Sequence, residues 1–236
     1  RPVPLDVELV ATERNNEKIY TIKSTKNNKN KRIFKFDKKY IKHKKPLLSN
    51  QINYLDSNHL TPTIFFYFSR DRVEAKARQA TSTRPKHKEK DILKILFDEV
   101  FQNLDTEEYN LLNLDELYWM WSRRIAYHHA GLTNRQRQLI EKGFREKRIK
   151  ALCATPTLAA GVNLPAKRVI IRDLTRWDSS FQSNQPLPVL EIQQMLGRAG
   201  RPGFDVDGEG VLIAKNNEQK TQIIETYFEG ETEPVL

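Results

Sequence analysis

The sequence is poor in several features that define whole classes of protein. Among its 236 residues there is a single cysteine, Cys153, so no disulfide can form within the chain, and a reducing, cytoplasmic location is the natural interpretation. No apolar run approaches the length of a membrane-spanning helix and no signal peptide opens the chain, so we expect no membrane partner. An initiator methionine is missing as well, and we expect a fragment of a longer protein.

Glycine-rich phosphate-binding loops are also missing. The sequence contains neither GxxxxGK[ST] nor GxGxxG, one of which a nucleotide-binding α/β domain normally carries. The chain therefore cannot complete a nucleotide site by itself. Any side chain in it that serves a nucleotide has to act across an interface with another domain.

Acidic residues are scarce at the start of the chain. Residues 1–50 hold 14 lysines and arginines but 5 aspartates and glutamates, a net charge of +9 within a total of +10. Such a basic pole favours a polyanionic partner, although a run of charge taken alone is more often a solvated face. The composition as a whole, with 38% hydrophobic and 30% charged residues, is typical of a globular protein.

The hydrophobic pattern divides the chain near residue 60. Residues 1–60 predict an inter-domain linker and a basic β-hairpin extension, with "KIYTIKS" and "KRIFKFD" as strands and "TKNNKNK" as the tip. Residues 61–236 alternate between apolar strand patterns and helix patterns, beginning with the strand "TPTIFFYF". This alternation predicts an α/β domain with a doubly wound, mostly parallel sheet, helices on both faces, and ligands at the carboxyl ends of the strands.

Local signals place several helices. Ser69 is the expected N-cap of "RDRVEAKARQA", and Thr133 with Gln136 has the spacing of a capping box. The aromatic side chains of "LDELYWMW" could stack on bases, but their helical spacing favours the core. In "DILKILFDEVFQ" the helical spacing of Ile92, Ile95, Leu96 and Val100 predicts a helix.

The stretch "QQMLGRAGRPGFD" (193–205) places two arginines, Arg198 and Arg201, three residues apart among glycines. Glycine weakens a helix but lets the backbone approach a ligand closely, and paired guanidinium groups are suited to phosphate. A helix end with solvated arginines is the alternative. Since no phosphate loop is present, we expect these arginines to reach a nucleotide that is held elsewhere.

Four segments together resemble motifs of the superfamily 2 helicases. "TIFFYFSRDRVEAKA", "AYHHAGL", "ATPTLAAGVNLPA" and "QQMLGRAGRPGFD" are similar, in order and spacing, to motifs IV, IVa, V and VI. The likeness is closest to the Ski-two-like branch, which includes archaeal DNA-repair helicases and eukaryotic RNA helicases, and it extends over the whole chain. It implies the second RecA-like, or helicase C-terminal, domain, with the phosphate loop and the acidic metal-binding motif in a first domain outside this chain.

The resemblance implies which residues serve the nucleotide. Arg198 and Arg201 would point across the cleft at the terminal phosphate of ATP, which binds with Mg²⁺ mainly on the first domain. Gln194 would contact the nucleotide or couple the two sites, and Gly197 would allow close approach of the backbone. Two residues of motif V, Gly161 and Asn163, would face the same cleft.

The resemblance also implies a single-strand binding site, in which each residue has a plainer alternative. Ser69 and Arg70 would bind a phosphate at a helix N-terminus, or Ser69 would only cap the helix. Thr155 and Thr157 would offer hydroxyls to the strand, or would only cap a turn.

Motif IVa adds the adjacent histidines of "AYHHAGL". The backbone of His128, His129 and Gly131 would contact the strand, although one of the two histidines could instead be satisfied in the core. Adjacent histidines point in different directions and no Cys/His cluster accompanies them. We therefore predict no metal ligands in this chain.

The sequence predicts the second motor domain of an ATP-dependent 3′-to-5′ helicase. Its expected partners are single-stranded DNA or RNA and the first RecA-like domain of the same chain, and we expect a monomer. The domain alone should hydrolyse little or no ATP. Two alternatives remain open: an RNA rather than a DNA helicase, and a module with a helicase-like fold that binds nucleic acid without catalysis.

Overall fold

The computed structural model describes residues 5–11, 20–23, 48–82, 84, 88, 90–201, 203, 205, 207–214 and 217–228. Its strands are β1 (Leu5–Ala11), β2 (Tyr20–Lys23), β3 (Thr63–Phe66), β4 (Ile125–His128), β5 (Ala151–Ala154), β6 (Arg168–Ile171), β7 (Thr175–Asp178), β8 (Ser183–Pro186) and β9 (Gly208–Ala214). Its helices are α1 (Leu48–Ser57), α2 (Arg70–Thr81), α3 (Lys90–Phe101), α4 (Thr106–Leu111), α5 (Leu114–Trp121), α6 (Asn134–Arg145), α7 (Thr157–Gly161), α8 (Val189–Leu196) and α9 (Asn217–Ile223), which continues as a π-helical turn over Ile224–Phe228. Within these ranges no helix has the length and apolar character needed to cross a membrane.

In the described part of the chain, seven strands form one sheet, in the order β2-β1-β9-β6-β3-β5-β4. Neighbouring strands are parallel throughout, except that β1 and β2 run antiparallel at one edge. The spatial order differs from the order along the chain, so the connections cross over between strands, as a doubly wound sheet requires. The predicted mostly parallel α/β fold is therefore confirmed.

The neighbouring strands β6, β3, β5 and β4 are buried along their whole length. Mostly apolar runs such as "TIFF" and "ALCA" explain this, because they have no polar face to turn toward solvent. Cys153 in β5 is fully buried, and burial raises the pKa of its thiol to about 12. The thiol stays protonated at neutral pH, so Cys153 is a structural residue.

The local signals for helix starts are confirmed. The Ser69 hydroxyl caps α2 by accepting the Arg72 N–H at 3.2 Å. At the start of α6, Thr133 and Gln136 form the reciprocal capping box. The Gln136 amide also donates to the Leu112 carbonyl at 3.0 Å, which ties α6 to the connection between α4 and α5.

The helix predicted from the spacing in "DILKILFDEVFQ" is present as α3, but not all of the residues that set this spacing are buried. Ile92 and Ile95 are 45% and 58% exposed, whereas Leu93, Phe97 and Phe101 are buried. Apolar residues recur at helical spacing on both faces, so periodicity alone could not choose between them. Packing decides, because the ring of Phe97 lies edge-on against an aromatic ring of α5, with 5.2 Å between the centroids.

The aromatic side chains of α5 belong mainly to the core, as their spacing favoured. Trp121 is buried, and its indole Nε1 donates to the Leu93 carbonyl at 2.7 Å. Tyr118 and Trp119 are half-buried. Gly143 of α6 faces the Trp121 ring so closely that a Cβ there would lie 2.3 Å from it. The absence of a side chain at this position is what allows α6 to approach α5.

The N-terminal segment contributes to the domain in a way that the patterns did not predict. β1 pairs in parallel with β9 along its full length, and β2, part of the predicted strand "KIYTIKS", pairs with β1. In α1, Leu48, Ile52 and Leu55 are buried in the core. The tip "TKNNKNK" and the predicted strand "KRIFKFD" lie outside the described residues. The domain boundary near residue 60 stays a prediction.

A second, two-stranded sheet was also not predicted. β7 and β8 form an antiparallel hairpin that precedes α8, and Arg176 of β7 pairs with Glu191 of α8 at 3.0 Å. Trp177 and Phe181 are exposed on this hairpin. Its sequence, "TRWDSSFQSNQP", is too polar to show the alternation typical of a half-buried strand.

Candidate nucleotide and nucleic-acid site

The candidate motifs IV, IVa and V meet at one edge of the sheet. They follow β3, β4 and β5, which are parallel, so their carboxyl ends lie at the same edge. Backbone bonds join the segments beyond the strands: the Tyr67 N–H donates to the Ala154 carbonyl at 3.0 Å, and the Thr155 N–H donates to the His128 carbonyl at 3.1 Å. Ligands of doubly wound sheets bind at this edge.

Arg70 and Gly131 lie side by side there. A Cβ placed on Gly131 would be 3.2 Å from Nη1 of Arg70. Ser69 and Arg70 are exposed at the start of α2, where the first N–H groups and the helix dipole favour an anion. The structure thus brings together the residues that were predicted from motifs IV and IVa, while the Ser69 hydroxyl also serves as the helix cap.

The His129 side chain is buried and held at both ring nitrogens. Nδ1 accepts the Gly131 N–H at 3.1 Å, and Nε2 lies 3.0 Å from Oε1 of Glu74 in α2. The ring stacks on Tyr127, with 5.4 Å between the centroids. The side chain therefore connects the turn after β4 to α2 and does not face solvent.

His128 is buried as well. Its Nε2 lies 3.1 Å from Oε1 of Glu141, whereas its Nδ1 has no hydrogen-bond partner. Burial lowers the pKa of His128 below its usual 6.5, and the attraction to Glu141 opposes this without overcoming it. The core alternative, which the sequence left open for one histidine, thus describes the side chains of both, and only their backbone is left for the predicted strand contact.

Carboxylates, imidazoles and thiols do not converge elsewhere in the described part of the chain. No group of three or more His, Cys, Asp or Glu side chains there is arranged to hold a metal ion.

Thr155 and Thr157 lie at the start of motif V. Their hydroxyl oxygens are 2.8 Å apart, so one hydroxyl donates to the other. Thr155 is buried and Thr157 is exposed. The N-cap residue of α7 is Pro156, and no side chain caps this short helix. Thr157 is therefore the threonine that a ligand can reach directly, and the buried Thr155 contacts its hydroxyl.

Arg198 connects motif VI to motif V. Its Nη2 donates to the Ala159 carbonyl in α7. The backbone makes a second connection, because the Ala166 N–H donates to the Arg198 carbonyl at 2.8 Å and the Gly200 N–H donates to the Ala166 carbonyl at 2.7 Å. Gly200 has a φ of 91°, which glycine adopts without strain. Arg198 thus holds the two motifs together, a role that the sequence pattern did not reveal.

Arg201 forms a two-pronged ion pair with Asp205. Its Nε and Nη2 each donate to a different carboxylate oxygen at 2.7 Å, and its backbone N–H donates to Oδ2 at 2.8 Å. The side chains are 15% and 4% exposed. Burial alone would raise the pKa of Asp205, but the hydrogen bonds and charge of Arg201 outweigh it and lower that pKa below 3.8.

Asp205 was missed by sequence reasoning although it closes the quoted motif. The available signal was an acidic residue four positions after an arginine, across a turn with glycine and proline. The pair fixes the direction of the Arg201 guanidinium. A matched planar fork of this kind is the strongest arrangement that arginine makes with a carboxylate.

The remaining predicted nucleotide residues lie at the surface near these motifs. Gly161 ends α7, and nothing lies within 4 Å of the position that its Cβ would take. Gln194 and Gly197 are exposed at the end of α8, and Asn163 is exposed after α7. They are accessible to a ligand, and their roles stay predictions.

The chain is similar to known proteins over the part that carries most of the candidate motifs. Residues 95–203, which include the candidate motifs IVa and V and most of motif VI, match the family described as the helicase conserved C-terminal domain. Over 167 residues the chain is 40% identical to the ATP-dependent DNA helicase Hel308 of Methanocella arvoryzae, a match that covers 71% of this chain and 22% of that protein. It is 38% identical over 208 residues to the ATP-dependent DNA helicase Hel308 of Thermoplasma acidophilum, covering 86% of this chain and 30% of that protein.

The chain therefore spans less than a third of the length of these relatives. Its parallel sheet and the matched segment put it in the class of RecA-like helicase C-terminal domains of superfamily 2. Within that class the chain is similar to archaeal DNA helicases of the Hel308 type.

Proposed function

We propose that the chain is the second motor domain of an ATP-dependent helicase that moves 3′ to 5′ along single-stranded DNA. One observation carries the proposal: Arg198 of motif VI is in direct contact with motif V, through the bond from its guanidinium to the Ala159 carbonyl. A nucleotide site and a strand site that touch each other are what a motor domain needs.

On the nucleotide side, ATP and Mg²⁺ would bind mainly on a first RecA-like domain of the same protein. Arg201, oriented by Asp205, would meet the negative charge that spreads over the γ-phosphoryl oxygens as the bond to the leaving group breaks. Arg198 and Gln194 would lie beside it, with the exposed backbone at Gly197 close to the nucleotide. Contacts that strengthen in the transition state raise kcat rather than ground-state binding.

On the strand side, phosphates would contact the start of α2 at Arg70, the turn at Gly131 and the hydroxyl of Thr157. Closure of the two domains around ATP, and reopening after hydrolysis, would shift this grip along the backbone. Because Arg198 is bonded to Ala159 of α7, a movement at the nucleotide would be passed to Thr157, two residues earlier in the same short helix.

DNA is favoured over RNA by the relatives, since both matched proteins carry the name ATP-dependent DNA helicase. The side chains in question are suited to phosphate, which both nucleic acids share, and not to the 2′-hydroxyl that distinguishes them.

The test uses the full-length protein. We expect single-stranded DNA to stimulate ATP hydrolysis, and a duplex with a 3′ tail, but not one with a 5′ tail, to be unwound. Arg201→Ala should abolish hydrolysis while strand binding without nucleotide is kept; Arg145→Ala, at an exposed arginine of α6, is the matched control. Strand binding with no hydrolysis in the wild type would instead support the non-catalytic module, and light scattering would test the proposed monomer.

A further inference from the structure

We propose that His129 is a positioning residue of the single-strand site. Its Nδ1 sets the position of the turn at Gly131 relative to Arg70, so that motifs IV and IVa can bind the same stretch of the nucleic-acid backbone. The inference rests on the proposed function, since it requires a strand at this edge of the sheet. His129 itself is buried and acts only through the turn.

The hydrogen bonds of His129 define which ring nitrogen carries the proton. The Gly131 N–H is a donor, so Nδ1 has to accept and carries no proton. Nε2 then carries it and donates to the Glu74 carboxylate at 3.0 Å. The other tautomer would set two N–H groups against each other at the turn. Glu74 therefore selects the tautomer that the turn requires.

Glu74 is held in place from α5. Its Oε2 accepts from Arg78, one helical turn later in α2, at 2.9 Å. Arg78 in turn donates to Glu116 of α5 at 2.7 Å. The contacts therefore run from α5 through α2 to the turn after β4. Since α2 also carries Arg70 at its start, a turn that is fixed to Glu74 is fixed relative to Arg70.

The turn has little room on either side. A Cβ on Gly131 would lie 3.1 Å from Nδ1 of His129 and 3.2 Å from Nη1 of Arg70. The imidazole and the guanidinium thus border the same glycine. If the Gly131 N–H loses its acceptor, the turn is free to move away from Arg70, and the two phosphate-binding elements are no longer adjacent.

Two amide substitutions separate the two bonds of the ring. In His129→Asn, the side-chain oxygen lies at about the position of Nδ1 and can accept the Gly131 N–H. In His129→Gln, the side-chain amide lies at about the position of Nε2, so it can donate to Glu74 but cannot accept from Gly131. In the full-length protein without nucleotide, we expect His129→Gln to weaken binding of a fluorescent single-stranded DNA oligonucleotide about tenfold. We expect His129→Asn to stay within about threefold of the wild type, and KM for ATP to be unchanged in both.

Two further variants exclude a purely structural effect. Glu141→Gln is the matched control, because it alters the neighbouring buried pair with His128, which makes no bond to the turn. It should lower the melting temperature and leave strand affinity unchanged. Gly131→Ala covers the case in which His129→Gln does not fold: the residue is exposed, so the melting temperature should hold, while the methyl group displaces the turn or Arg70 and strand affinity falls.

If His129→Gln binds the oligonucleotide as tightly as His129→Asn does, the inference is wrong, but the proposed helicase function is unaffected. A Gly131→Ala variant with wild-type affinity would do the same. A wild-type protein that does not bind single strands would remove the proposed function, and this inference with it.

Discussion

The ion pair between Arg201 and Asp205 leads us to predict that Asp205 positions Arg201, and that Arg201 contacts the nucleotide directly. Asp205→Asn keeps the shape of the side chain but removes its charge and turns one acceptor oxygen into an NH₂ donor. Three hydrogen bonds of 2.7–2.8 Å reach this carboxylate from Arg201. The amide can satisfy the donors on one side of the fork only, so at least one bond is lost.

The expected cost follows from the burial of the pair. Loss of a charge-assisted hydrogen bond costs about 1.5–3 kcal/mol, and the Asp205 side chain is 4% exposed, so water cannot readily replace the lost bond. We expect the free energy of unfolding to fall by about 2–3 kcal/mol, which lowers the Tm of a domain of this size by roughly 4–12 °C. Because the folded pKa of Asp205 lies below 3.8, the stabilisation is present above that pH and is lost as the pH falls through the folded pKa.

The effect on kcat should depend on the orientation of the Arg201 guanidinium. A fork uses Nε and one terminal nitrogen of the guanidinium, so the pair with Asp205 fixes the orientation of the Arg201 side chain. In full-length enzyme we expect Asp205→Asn to lower strand-stimulated kcat about tenfold. Arg201→Lys keeps the charge but loses the planar fork, and we expect a loss of about a hundredfold or more. Binding of the strand without nucleotide should be unchanged in both.

The double variant decides whether Asp205 acts through Arg201. If it does, Asp205→Asn adds nothing to the kcat loss of Arg201→Lys, because the positioned group is already gone. Strand-stimulated ATPase kinetics and thermal melting are measured on all four proteins. A rise in kcat in Asp205→Asn would refute the reasoning, because it would show that the carboxylate competes with the phosphate for Arg201. A collapse of strand binding in Arg201→Lys would move the arginine to the nucleic-acid site.

Three further predictions concern other parts of the domain. Gly143→Ala should lower the free energy of unfolding by about 1–3 kcal/mol, because its methyl group would overlap the Trp121 ring. Gly161→Ala is the control, since there is open space around Gly161, and equal melting curves for the two variants would contradict this packing. The free energy of unfolding should fall as the pH drops below 6.5, because burial lowers the pKa of His128 and the unfolded chain therefore binds the proton more readily. His128→Asn should flatten this pH dependence in melting measured from pH 5 to 8. Thr155→Val should weaken strand binding several-fold with little change in KM for ATP, and the reverse pattern would assign the hydroxyl to the nucleotide side.

The sequence by itself determined the features that depend on near neighbours along the chain. A continuous apolar run such as that of β3 has no polar face, so it has to be buried on both faces of a sheet. The capping box of Thr133 and Gln136 is complete within four residues. The same holds for the helicase resemblance, since each motif is a short segment whose residue types could be recognised without knowing what they touch.

The tertiary structure decided everything that depends on partners far away in the sequence. Two apolar faces of α3 were equally periodic, and only contact with α5 buried Phe97 and left Ile95 exposed. The pairing of β1 with β9 joins opposite ends of the chain, so no local pattern could reveal it. The His129 side chain was free to face a strand or the core until α2 brought Glu74 within 3.0 Å of it. A buried polar group requires a partner, but the sequence does not say which one folding will supply.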